Sequence, residues 1–374
     1  MTQPPSETLK AETLSLHFRQ GSIEASAEAA KAPFHHDLSG IAGKGRRLWL
    51  ASDELACLDQ VTLQPDGSFG EHRRFRLHDY LELASADSEV DLESLAVEGE
   101  TLWLLGSHAR TRQKPKLESF DPEQALARLA TLKENNERQL LACLPLVENG
   151  PGLWEPRPPS GGSKPGARAK IAGKGSRLLR QLRKDDHLAP FVALPAKENG
   201  LDIEGLAASQ GTLYLGFRGP VIGGWAVILT LQPKPPEEGR IRLETLRSEG
   251  ERYLKHFIQL DGLGIRDLTC HGEDLLILAG PALDHDGPFR IYRWPGALSG
   301  ARPTLVERAK LERLIDLPAP EGCDRAEGLA VIEQGGRRGL AVVHDNPCPA
   351  RLEASAGDLC LDFYPLPEAL RPGP

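Results

Sequence analysis

The chain has 374 residues, room for two ordinary domains or one large one, and it is long enough to bury a substantial core without help. With 45 Lys and Arg against 53 Asp and Glu its net charge is −8, which excludes a chain-wide surface for nucleic acid or an anionic membrane. An apolar content of 40 %, 38 Gly and 30 Pro describe a turn-rich soluble protein, and no run approaches the ~18 apolar residues that a membrane span requires.

Met1 to Glu7 has neither a basic lead nor an apolar run, so no secretory signal is expected and the chain is placed in the cytoplasm. Leu14 to Phe18 reads as a strand. A phrase then recurs along the chain. Asp37-Leu38-Ser39-Gly40-Ile41-Ala42 is followed by Leu48-Trp49-Leu50-Ala51-Ser52-Asp53-Glu54, and Asp91-Leu92-Glu93-Ser94-Leu95-Ala96 by Leu102-Trp103-Leu104-Leu105-Gly106-Ser107-His108. Asp202-Ile203-Glu204-Gly205-Leu206-Ala207 precedes Leu213-Tyr214-Leu215-Gly216-Phe217-Arg218. Ile265-Arg266-Asp267-Leu268-Thr269 precedes Leu275 to Pro281, and Glu327-Gly328-Leu329-Ala330 precedes Leu340 to Asp345. Each copy is two short apolar strands about a turn, the signature of a hairpin.

Further strands are expected after each pair: Leu140 to Leu146 and Phe191 to Leu194, Trp225 to Leu231 and His256 to Leu260, Phe289 to Trp294 and Leu314 to Leu317, and Cys360 to Leu366 with Leu14 to Phe18 as its partner. Four strands per unit at a period near 60 residues is an all-β repeat, a five-bladed β-propeller over 1–374, with six blades as the alternative. Trp49, Trp103 and Tyr214 hold one strand position and are assigned to packing between blades.

Residues 118–190 are read as an insertion within the second blade. Asp121-Pro122-Glu123-Gln124 starts a helix, with an N-cap Asp, Pro at the first turn and Gln closing a capping box. From 156 to 184 there are nine basic residues, Lys174 among them, and no acid; this stretch is expected to be a flexible loop, solvated or drawing in anions. The six cysteines (Cys57, Cys143, Cys270, Cys323, Cys348, Cys360) contain no C-x-x-C pair and are expected to be reduced.

The inner strand of each blade lines the axis, so the repeated positions Ser39, Glu93, Glu204, Arg266 and Glu327 should converge there. Glu93, Glu204 and Glu327 repel unless neutralised, either by Arg266 and hydroxyls or by a hard cation such as Ca²⁺. The second strands end in Asp53 and Glu54, Ser107 and His108, Arg218, and His344 and Asp345, which should ring one channel mouth. There His108, His344 and Asp345 would supply acid–base chemistry, and Arg218, Arg110 and Arg112 would hold an anion. Asp267, in place of a Gly, either caps a turn or binds.

The phrases L-S-G-I-A…L-W-L-A-S-D-E, G-L-D-I-E-G-L-A…L-Y-L-G-F-R-G-P and I-Y-R-W-P-G-A-L resemble the domain-of-unknown-function family 3616, over about residues 34 to 366. The D-L-S-G-I-A and D-x-E-G-L-A phrases are also similar to the SdiA-regulated propellers and, more loosely, to phytase-like and calcium-dependent apyrase propellers. That resemblance implies five blades and a calcium ion near the axis, although Ser39 and Arg266 stand at two of the five acidic positions. Two functions remain open: a binding or recognition module for a small anionic molecule or a protein partner, and a metal-assisted hydrolase of a phosphoester or lactone. The first is favoured, with nucleic acid confined to the 156–184 stretch and no membrane partner.

Overall fold

The computed structural model describes residues 9–18, 36–86, 88–171, 175–246, 250–300, 302–352 and 358–367; Lys174 and the segment from Met1 to Glu7 lie outside the described residues. Each repeated phrase forms an antiparallel hairpin. The first strands, Leu38–Lys44, Leu92–Glu98, Asp202–Ser209, Gly264–His271 and Arg325–Gln334, pair with Arg47–Ser52, Thr101–Gly106, Thr212–Gly219, Asp274–Gly280 and Arg337–Asp345. Two further strands complete each sheet: Cys57–Leu63 and Phe69–Arg76, Leu141–Glu148 and Ala167–Ala169, Trp225–Leu231 and Leu254–Gln259, Phe289–Trp294 and Glu312–Leu317, and Asp358–Pro365 with Glu12–His17. The last sheet is thus closed by both ends of the chain, as expected from Leu14 to Phe18.

The first strands stand side by side in a closed cycle, each against the next and the fifth against the first. An apolar cluster fills the wedge between every pair of adjacent sheets. The protein is a β-propeller, mostly β-structure in sheets that cover one another's faces. Trp49 lies in the cluster between the first and second sheets, Trp103 between the second and third, and Tyr214 between the third and fourth, so the recurring aromatic is interblade packing.

The region from 118 to 190 departs from expectation in three ways. The predicted helix is present at Pro122–Ala130 with both halves of the Asp121–Gln124 capping box, but the predicted strand at Phe191 to Leu194 is not; a short 3-10 turn occupies Ala189–Phe191. The fourth strand of the second sheet is instead Ala167–Ala169, from within the basic stretch, which pairs Ala167 with Cys143 and Arg168 with Ala142. Arg177–Leu182 then forms a helix with Ser176 as its N-cap, burying Leu178, Leu179 and Leu182 between the second and third sheets. Residues 176–182 of the basic stretch are therefore ordered by their leucines, a pattern hidden beneath its charge. The cysteine expectation is also corrected: Cys323 and Cys348, on loops 25 residues apart, come to a Cα–Cα distance of 5.3 Å and form a disulfide, while Cys57, Cys143, Cys270 and Cys360 are free. Among the described residues no helix is long and apolar enough to cross a membrane.

In each inner hairpin the ladder register shifts around one residue: Ser39, Glu93, Glu204, Arg266 and Glu327 fall at a β-bulge. A bulge leaves its extra residue unpaired and re-aims the side chain, here toward the axis. The residue after the bulge faces the neighbouring blade. At Gly40 a Cβ would sit 3.0 Å from the Glu93 carbonyl oxygen, so only Gly allows the first two blades to approach this closely.

Asp267 occupies the same position in the fourth blade and neither caps a turn alone nor faces solvent; it is 0 % exposed. Its Oδ1 accepts from the Ser94 hydroxyl at 2.6 Å and the Leu268 N–H at 2.8 Å, and its Oδ2 from the Leu329 N–H at 2.7 Å. Ser94 Oγ in turn accepts the Leu206 N–H at 3.1 Å, and the Ser39 hydroxyl donates to the Leu92 carbonyl. The five sheets are thereby stitched through side chains of one repeated position and its neighbour. Burial pushes the Asp267 carboxyl well above the usual range, against the pull of Ser94 and the backbone donors. Asp267→Ala is expected to cost about 3 kcal/mol or more, since each buried donor left without an acceptor costs ~1–3 kcal/mol. Asp267→Asn, which keeps one acceptor oxygen, should lose less, and urea unfolding of the two variants checks the order.

Candidate functional site

The bulged residues and the ends of the second strands meet in a cleft of about 140 Å³ at one end of the axis. It is lined by Asp53, Glu93, Glu204, Arg218, Arg266, Glu327 and Asp345, all anticipated from the repeat, with Lys197, Asp284, His285 and Asp286 from the surrounding loops and Arg325 from the start of the fifth inner strand. Seven carboxylates face four fixed cations in this lining. The site is acidic overall, and its arginines are already engaged.

Glu204 sits between two of them, with Oε1 2.9 Å from Arg218 Nη1 and Oε2 3.0 Å from Arg266 Nη1. Arg266 reaches on to Glu327, and Arg218 to Asp202 at 2.5 Å. Glu327 is therefore held by Arg266 and stands apart from the other two predicted metal ligands. The carboxylates that gather are Glu93, Asp202 and Glu204, whose nearest ligand atoms all lie within 4.8 Å of one another. Asp202 opens the third repeat, as Asp37 and Asp91 open the first two, and that shared Asp was the sequence signal for a residue not counted among the candidates.

Glu93 has no ion pair or hydrogen bond among the described residues, and Asp202 Oδ1 is buried without a hydrogen-bond partner. Burial, reinforced by Glu204, Asp91 and Asp202, raises the Glu93 carboxyl well above its usual range. Burial likewise raises Asp202 to about 7 in spite of Arg218. Asp53 is raised by burial and then by Asp91 and Asp345, Asp345 is raised mainly by burial, and Asp37 reaches about 6 through burial and its neighbours Asp345 and Glu54. Burial opposes charge on Arg218, yet Asp202, Glu204 and Glu93 together hold it more firmly protonated.

The remaining candidates stand elsewhere. His344 is one residue out of phase with Asp345 and so faces the opposite side of its strand, where it is 2 % exposed, 3.7 Å from Asp362 in a network with Arg351 and Asp324. Burial, with Arg351 as the next cause, lowers its pKa to about 4. His108 adopts a left-handed backbone, pairs Nδ1 with the Gly106 carbonyl at 2.8 Å and lines a different cleft; burial lowers it to about 4. Arg110 pairs with Glu134 and Arg112 with Glu198 on a hairpin outside the mouth, and Glu54 is exposed beside it. Neither predicted histidine lines the mouth; His285 does, with its Nδ1 2.8 Å from the Asp286 carbonyl.

The pH consequence has a definite sign. A carboxyl whose pKa is raised on folding binds its proton more tightly in the native state, so its stabilising effect is complete below the unfolded pKa and is lost as pH rises through the folded value. For Asp37 that window runs from the ordinary Asp value up to about 6. Thermal midpoints should fall as pH rises through this interval, and Asp37→Asn should flatten that part of the curve. A midpoint rising over the same interval would contradict the assignment.

The family model described as "Protein of unknown function (DUF3616)" matches residues 37–362. No curated protein matches the chain in sequence. Among solved structures, similarity is found to Myxococcus xanthus glutaminyl cyclase, with 11 % identity and a TM-score of 0.37 over 96 % of this chain and 100 % of that one. The PQQ-bound aldose sugar dehydrogenase of Streptomyces coelicolor gives 14 % identity and a TM-score of 0.37 over 96 % and 99 %. Trypanosoma rangeli sialidase, in complex with the inhibitor DANA, gives 11 % and 0.34 over 89 % and 47 %. Likeness at this level says nothing of what the chain binds.

Proposed function

The chain belongs to the DUF3616 family of proteins of unknown function, and on that premise we propose that it is a binding module whose axial mouth takes a hard divalent cation, Ca²⁺ by the chemistry of its donors. The observation that carries this reading is the gathering of Glu93, Asp202 and Glu204, with Asp202 Oδ1 buried without a hydrogen-bond partner, beside a lining with more carboxylates than cations. Glu93 and Asp202 would hold the ion, with Glu204 as a shared neighbour already bound by two arginines. Glu327 is not assigned to it. When bound, the ion would neutralise the excess charge and offer coordination positions to oxygen atoms of a small molecule or a protein segment at the mouth. Lys197 and Arg325, paired with the same Asp284, position the rim of that opening.

Hydrolysis of a phosphoester or lactone is the second reading, favoured by one observation: Asp202, whose carboxyl is raised by burial, lies against Glu93 and Glu204 of the cleft. Binding is preferred because His108 and His344, the predicted acid–base pair, stand outside the mouth, and His285, which lines it, has its Nδ1 on the Asp286 carbonyl. Cytoplasmic placement stays an expectation. The Cys323–Cys348 disulfide weighs against it, since such bonds persist in oxidising compartments.

Ca²⁺ added after chelation should raise the thermal midpoint at neutral pH, because a ligand of the folded state stabilises it by mass action, ~2.7 kcal/mol at a hundredfold excess over Kd. Glu93→Gln should remove the Ca²⁺ response. If chelator and Ca²⁺ leave the wild type unchanged while Glu93→Gln raises its midpoint by relieving repulsion, the arginine network alone neutralises the axis and the ion is wrong. Turnover of p-nitrophenyl phosphate or a simple lactone that Glu93→Gln abolishes would transfer the assignment to hydrolysis.

A further inference from the structure

A second cleft, of about 430 Å³, lies away from the axis where the second and third sheets meet. Two distant segments build it. Ala167–Ala169 pairs in parallel with Arg240–Ile241, so the basic stretch of the second blade is laid beside an excursion of the third. The helix Arg177–Leu182 buries Leu178, Leu179 and Leu182 and leaves Arg177 and Arg180, one helical turn apart, on its exposed side.

The floor is apolar, with Leu141, Leu178, Ile241 and Leu243 all buried. Its rim carries five arginines, Arg177, Arg180, Arg240, Arg242 and Arg252, and the lysines Lys170 and Lys234, and among the described residues its lining contains no Asp or Glu. Arg242 and Lys234 have exposed partners outside the cleft, Glu237 at 3.1 Å and Glu244 at 3.2 Å. Exposed pairs of this kind are worth little. Arg177, Arg180, Arg240 and Lys170 have no ion pair or side-chain hydrogen bond among the described residues. Arg252 donates to the Leu243 carbonyl, its Nε is buried without a partner, and its pKa is lowered by burial and then by the neighbouring charge of Arg177.

Like charges collected over an apolar floor cost free energy unless an anion joins them. In a chain of net charge −8, where Arg290 and Arg293 each hold two carboxylates, this rim gathers several basic side chains that hold none among the described residues. We propose that this cleft binds a small organic phosphate with an apolar body, the phosphate held by Arg177, Arg180, Arg240 and Arg252 and the body laid on Leu141, Ile241 and Leu243. Phosphate is preferred to a carboxylate because several planar guanidinium forks match a group with three charged oxygens. A nucleic-acid strand is disfavoured by a bounded cleft with a greasy floor on a molecule that repels polyanions over most of its surface.

Calorimetric titration of the full chain with phenyl phosphate, hexyl phosphate, inorganic phosphate and a mixed-sequence DNA oligonucleotide tests this. At least one organic phosphate is expected to bind about tenfold or more tightly than inorganic phosphate, a gain of ~1.4 kcal/mol from the apolar floor. The double variant Arg177→Gln, Arg180→Gln should weaken it by about tenfold or more while its thermal midpoint without ligand does not fall, and Arg290→Gln, remote from the cleft, should bind as the wild type does. The proposal is overturned if neither organic phosphate binds, if inorganic phosphate binds as tightly, if the double variant binds unchanged, or if the oligonucleotide binds more tightly than both. None of these outcomes depends on whether Ca²⁺ binds at the axis.

Discussion

A buried carboxylate at the axis is the constraint on which the ring depends. Inner strands packed around a narrow centre leave backbone donors where neither water nor a neighbouring ladder reaches them, and a buried donor without a partner is costly. Asp267 supplies acceptors for the Leu329 and Leu268 N–H groups and the Ser94 hydroxyl, and Ser94 serves Leu206. The cost of desolvating that carboxyl is offset by several directed bonds at once, and the bonds reach into four of the five blades. Ser39, donating to Leu92, ties in the first.

The bulges that free these backbone groups also create the site. Each one pushes a side chain out of its ladder toward the channel, so a chain that closes its ring this way places five side chains of its own choosing around one point. Here they are Ser, three Glu and Arg. Arg266 and Arg218 divide the carboxylates into a satisfied group, Glu204 and Glu327, and an unsatisfied one, Glu93 and Asp202 Oδ1. Low dielectric surroundings magnify both the pairing and its absence. Burial, the largest cause, and the neighbouring carboxylates raise Glu93, Asp202, Asp53 and Asp345 together.

Charge is sorted by place in this molecule. Acid collects at the axial mouth, while a basic rim surrounds the cleft between the second and third blades. The two are separated by the apolar wedge that holds Leu206, Leu213 and Leu215 against Trp103 and Leu105. Such segregation lets one scaffold present surfaces of opposite sign to different ligands. Arg240 and Arg242 belong to a side excursion of the third blade and Arg177 and Arg180 to the second, so the basic rim exists only because the two blades are neighbours.

By itself the sequence determined the repeat, and with it the hairpins, the ring, the interblade aromatics Trp49, Trp103 and Tyr214, the strand contributed by Leu14 to Phe18 and the convergence of Glu93, Glu204, Arg266 and Glu327. Those features are local patterns of period two repeated in register, which a linear string carries in full. Tertiary structure decided how the charges pair and which way alternate residues face. His344 and Asp345 are adjacent in sequence and point to opposite sides of one strand, so only the register against Arg325 and Ala326 assigns one to the mouth and the other to Asp362. The Cys323–Cys348 bond and the pairings of the strand Ala167–Ala169 that build the basic cleft join residues 24 to 72 positions apart, through contacts that no short window along the chain contains. Electrostatic partnership falls off with distance in space, not with separation along the chain, and that is why the shape was legible while the division of labour among its charges was set by the fold.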